Sequence, residues 1–198
     1  MKRTGIILLF SIICIFAESP TGFRDINFGE SYATAKAKID AVKLQTNPKL
    51  REPNRTYDEN KMITIEYYPL GKIPVDVYLY FSDGVFSSFT VYSKKTFGSK
   101  EFNVSLKNEA LLFSQILQSK YGEPSEKNDP TILDVEDEKP AFFWVWNLPE
   151  HFIASIVRVS NYSYFTYFTV SNKARMNKEA QNDKSKQKLK VENAAGSF

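Results

Sequence analysis

PVDVYLYFSDGVFSSFTVY, residues 74–92, decides how this chain folds. Two β-rich runs, residues 74–81 and 85–92, meet at Asp83-Gly84. An Asp-Gly pair between such runs signals a tight hairpin, because a type I′ turn needs positive φ at both central positions. In the first run Val75, Val77, Leu79 and Phe81 alternate with Asp76, Tyr78, Tyr80 and Ser82. Strand side chains point alternately to the two sides of a sheet. One side of this hairpin is therefore aliphatic and suited to a core, and the other bears tyrosines.

Upstream, residues 62–68 read as a further strand, preceded by a polar loop over 45–60 with Pro48 and Pro53. Residues 31–44 read as a helix, with Tyr32, Ala35, Ile39 and Val42 on one face and Ser31 as its N-cap. Downstream, Leu106, Ala110, Phe113, Leu117 and Tyr121 form the stripe of a second helix over 104–121. Gly122 suits the position just past its end, and Pro124 prevents continuation. A charged loop over 123–139 holds a short strand candidate at 131–135. Strands at 142–147, 152–160 and 163–171 complete the body, with turns at 147–150 and at Ser160-Asn161. Helix, loop and three-strand meander thus occur twice. The expected fold is α+β, with two helix-plus-antiparallel-sheet units over 22–98 and 99–171. Residues 172–198, with seven Lys/Arg and three Asp/Glu, read as a charged, flexible tail.

At the other end, Lys2 and Arg3 precede an apolar run from Gly5 to Ala17. That run is shorter than the ~20 residues a membrane-spanning helix needs. It has the build of a secretory signal peptide over 1–17, with cleavage after Ala17 and an alternative cut after Ser19. A third reading makes Cys14 the lipidated first residue of a lipoprotein, although Ile13 is bulky for the position before such a cut. The expected setting is outside the cytoplasm, in the periplasm or at the cell surface. Removal of the leader takes the formal charge from +3 to +1 and removes the one cysteine. A near-neutral body argues against nucleic acid as partner, and a cysteine-free one against a disulfide scaffold.

The same inventory limits chemistry. Without a mature cysteine, and with His151 the one histidine, no Cys nucleophile or multi-His zinc site is expected. His151 follows Pro149-Glu150 and reads as an exposed turn residue. No Gly-rich phosphate loop occurs, so no cofactor is expected. Carboxylates between Glu123 and Glu138, including Asp134, Glu136 and Asp137, are the remaining catalytic option, that of a small secreted hydrolase. A solvated acidic loop is the plainer reading of them. In the block Phe142-Phe143-Trp144-Val145-Trp146, alternation puts Phe142, Trp144 and Trp146 on one face. An exposed aromatic face there would suit a partner, with Trp144, Trp146, Tyr78 and Tyr80 as contact residues. Burial on both faces is the alternative.

Phe23-Arg24-Asp25-Ile26-Asn27-Phe28-Gly29, running into the helix at Ser31, resembles the opening phrase of small exported bacterial proteins. Lys120-Tyr121-Gly122-Glu123-Pro124 is similar to the helix end many of them carry. The arrangement also resembles the tandem modules of the β-lactamase inhibitor protein and small outer-membrane assembly lipoproteins. The resemblance implies a non-enzymatic role in binding another protein or an envelope component. Membrane contact would then run through a lipidated Cys14 or the basic tail.

Overall fold

A computed structural model describes residues 19–44, 52–135, 139–175 and 177–178. The leader, Cys14 and nearly all of the charged tail lie outside the described residues. The chain is mostly β. Its centre is one eight-stranded antiparallel sheet in the order β3-β4-β5-β6-β10-β9-β8-β7. The first half supplies β3 (Asn54–Asp58), β4 (Met62–Leu70), β5 (Ile73–Ser82) and β6 (Val85–Ser93). The second half supplies β7 (Glu126–Lys127), β8 (Ala141–Asn147), β9 (His151–Ser160) and β10 (Ser163–Asn172). A two-residue pairing of β1 (Gly22–Phe23) with β2 (Ile26–Asn27) forms a small clip beside it.

The expectation of two helix-then-meander units is overturned by the β6–β10 pairing. Tyr92 pairs with Tyr167, Val91 with Phe168, Thr90 with Thr169, Phe89 with Val170 and Ser88 with Ser171. Left apart, each meander would end on an unpaired strand edge, and joining them satisfies both rows of backbone groups. The core crosses the join as well. Tyr32, Ala35 and Ile39 of α1 (Tyr32–Ala41) share one apolar cluster with Phe113, Leu117 and Tyr121 of α2 (Lys107–Tyr121). Both helices and the β1–β2 clip pack on the same aliphatic side of the sheet, against Val75, Val77, Leu79, Phe89 and Phe168.

Local signals act largely as read. The Ser31 hydroxyl accepts from the Thr34 N–H at 3.2 Å and caps α1, which stops at Ala41 rather than at 44. Gly122 ends α2 at φ 77°, its N–H reaching the Gln118 carbonyl at 2.9 Å. A 3-10 turn over Ser99–Glu101 and a π-helical turn over Phe102–Leu106 lead into α2, so helical backbone begins before residue 104. Asp83 and Gly84 take φ 52° and 74° as the hairpin requires. The β9–β10 turn falls on Asn161 and Tyr162, at φ 49° and 62°, one residue later than expected. Other elements differ outright. β3 and β7 lie inside expected loops, the β1–β2 clip was not expected, and the strand expected at 131–135 is a 3-10 turn over Ile132–Asp134.

Candidate functional site: the open face of the sheet

The strand registers place one continuous set of side chains on the side away from the helices. Tyr78 pairs with Thr90, Tyr92 with Tyr167, Tyr167 with Ile156 and Phe165 with Arg158. With Tyr80, these residues spread an aromatic row over β5, β6, β10 and β9. The Tyr78 and Tyr80 rings lie 6.4 Å apart and Tyr78 meets Tyr92 edge-on at 5.3 Å. Tyr92 stacks on Tyr167 at 4.7 Å and reaches Phe165 at 6.0 Å. All five rings are half-buried, each supported by its strand neighbours rather than covered by a second layer.

This row is electrically unusual. Arg158 stands at the β9 end of the row opposite Phe165, half-buried, with its Nε sealed from solvent and without a hydrogen-bond acceptor. Among the described residues no carboxylate forms an ion pair with it. Asp76, on the same face, is engaged by the Lys94 ammonium at 2.6 Å and by the Tyr67 N–H at 3.0 Å. Burial pushes the Tyr80 and Tyr167 hydroxyls up to about 12 and raises those of Tyr78 and Tyr92. They stay neutral near pH 7 and can donate hydrogen bonds. Together they form a rigid aromatic platform with hydroxyl donors and one arginine lacking an anionic counterpart. Such a platform suits a carboxylate flanked by apolar groups.

The four contact residues expected from sequence do not share a surface. Tyr78 and Tyr80 lie on the open face. Trp146 is 0% exposed on the helix side, its Nε1 donating to the Gly122 carbonyl at 2.8 Å. Trp144 is half-buried on that same side, under the Lys127 ammonium at 4.6 Å. A β-bulge between Phe142 and Trp144 breaks the expected alternation. It sends Phe142 and Val145 to the open face while Phe143 joins the core with Phe102. The contact residues expected from sequence do not include Tyr92, Phe165, Tyr167 or Arg158. The period-two pattern of β10 held the signal, since Phe165 and Tyr167 alternate with Thr166 and Phe168.

His151 is a further correction. It opens β9 only 6% exposed, its ring 5.3 Å from that of Phe28, and burial lowers its pKa. Three carboxylates of the charged loop are engaged locally. Lys127 and Gln118 bind Glu123, Lys107 binds Asp129, and Asp134 accepts from the Thr131 N–H and hydroxyl. These hydrogen bonds hold Glu123 and Asp134 below the usual carboxylate range. Glu136, Asp137 and Glu138 lie outside the described residues. Among the described residues no group of three His, Cys, Asp or Glu side chains is placed to hold a metal.

No helix among the described residues is long and apolar enough to cross a membrane. Comparison with protein families, curated proteins and solved structures gives no match.

Proposed function

We propose that this chain is an exported, non-enzymatic binding protein of the periplasm or cell surface. Its open sheet face binds another protein that presents a carboxylate among apolar side chains. The observation that supports this most is Arg158, held without an anionic partner beside Tyr92, Phe165 and Tyr167. An arginine half out of water and unpaired is costly in the free protein and becomes favourable once a carboxylate reaches it. The basic leader with its short apolar run, and the Phe23–Gly29 phrase, support export.

Photo-crosslinking in the producing cell tests the reading. A benzophenone side chain is placed at Tyr80 or Tyr167, with Leu112 on the outer side of α2 as the control position. The expected result is a heteromeric adduct from the sheet positions that Arg158→Gln abolishes. Adducts only between copies of this chain, adducts only from Leu112, or adducts indifferent to Arg158→Gln would each defeat the proposal.

A further inference from the structure

On the opposite side of the sheet, a cavity of about 230 Å³ opens between the β1–β2 clip and the last turns of α2. Its walls are apolar: Phe23, Leu70, Val91, Ile116, Leu117 and Phe168 supply most of them. No acidic side chain lines it. Two cationic residues do, Arg24 and Lys120, both solvent-exposed and so placed where the cavity meets water. No ion pair joins either one to a carboxylate among the described residues. The nearby C-terminal end of α2 is not a competing negative site of full strength, because Trp146 already donates to the Gly122 carbonyl.

Arg24 has a second distinguishing property. It occupies the tight turn of the clip at φ 56°, a left-handed backbone that Gly, Asn or Asp adopts more easily. Backbone strain of this kind persists where the surrounding structure fixes it. Here it sets an arginine at the rim of an apolar hole.

We propose that the cavity takes the hydrocarbon chain of a medium-chain carboxylate, with the head group held between Arg24 and Lys120. The volume sets the length. An apolar cavity of about 150 Å³ holds benzene, so this one takes roughly eight or nine carbon atoms. Chain burial supplies the affinity and the two cations favour an anion over a neutral amphiphile. The site is independent of the open face, from which the sheet separates it.

Calorimetric titration of the full chain with octanoate, and with octan-1-ol as the neutral comparator, tests the assignment. The expected result is saturable one-to-one octanoate binding. Arg24→Asn with Lys120→Gln weakens octanoate at least tenfold and leaves octanol unchanged. Asn keeps the left-handed turn, so the change removes charge rather than the clip. Ile116→Trp fills the cavity and removes both ligands. Leu70→Trp serves in its place if that variant loses its circular dichroism. No saturable binding, octanoate affinity indifferent to the loss of both cations, or binding that survives a filled cavity would each overturn the proposal.

Discussion

Trp146→Ala discriminates most sharply between a core and a surface role for the aromatic block. The side chain is 0% exposed and belongs to the cluster that contains Leu117 and Tyr121 of α2 and Ile153 of β9. Truncating a buried tryptophan costs about 3–5 kcal/mol through lost transfer energy and the cavity left behind. For a chain of this size each kcal/mol lowers Tm by about 2–4 °C, so a fall of roughly 6–20 °C is expected. Trp146→Phe separates two contributions. It keeps most of the ring but strands the Gly122 carbonyl that Nε1 reaches at 2.8 Å, a loss of about 1–3 kcal/mol. Urea unfolding followed by far-ultraviolet circular dichroism measures both variants against the parent. A Trp146→Ala protein within about 1 kcal/mol of the parent would refute the packing argument. Equal stabilities for Trp146→Phe and Trp146→Ala would refute the separation into ring burial and hydrogen bond.

Two pH responses follow from burial. His151 has a lowered pKa because burial disfavours its charged form, with Lys173 adding to that and Glu150 opposing it. The unfolded chain takes up this proton near 6.5 and the folded chain resists it, so stability is full above that pH and falls as pH drops below it. Urea midpoints compared at about pH 7.5 and about pH 5.5 should shift less in His151→Phe than in the parent, and equal shifts would count against the assignment. Tyr80 and Tyr167, at about 12 against an ordinary 10.0, give the opposite window. Their neutral forms stabilise the fold fully below pH 10, and that stability is lost as pH rises towards 12. Tyr57 is raised to about 12 as well, and Tyr78 and Tyr92 are raised, so phenolate absorbance should show a late-titrating set in the folded protein that loses two members in Tyr80→Phe, Tyr167→Phe. A single transition near 10 for all eleven tyrosines would refute the burial assigned to them.

What was legible in the sequence was local. The Asp83-Gly84 hairpin, the Ser31 cap and the Gly122 stop each depend on a few neighbouring residues with special backbone or side-chain chemistry. The aliphatic face of β5 was legible for the same reason, since two-residue alternation is intrinsic to a strand. β3 was hidden because Pro53 precedes it and polar residues fill its outward positions, although Arg55 and Tyr57 point inward beside Ile65 and Ile63. Alternation rightly keeps Trp144 and Trp146 on one face but does not say which face meets the helices, and because of a bulge it wrongly adds Phe142 to them. An extra residue at Phe143 leaves no mark in composition or spacing, and it decides which aromatics face the helices.

The largest difference, one sheet instead of two units, has a functional consequence. β6 and β10 are more than seventy residues apart, and no local motif specifies that they pair. Their pairing is selected globally, because it closes two open edges and lets one core run beneath both halves. The same pairing builds the candidate site. The first half alone offers Tyr78, Tyr80 and Tyr92, and the second half alone offers Phe165, Tyr167 and Arg158. Only the register that puts Tyr92 opposite Tyr167 stacks those rings at 4.7 Å and brings the arginine to the end of one aromatic row. A search for a site within either half therefore finds only a hairpin with tyrosines. Because β-strand side chains alternate, a slip of one residue at this seam would send Tyr167 to the core and Phe168 to solvent. The burial of Phe168 against Phe113 and Phe89 opposes that slip, so the packing that holds the two halves together also fixes the face proposed to bind the partner.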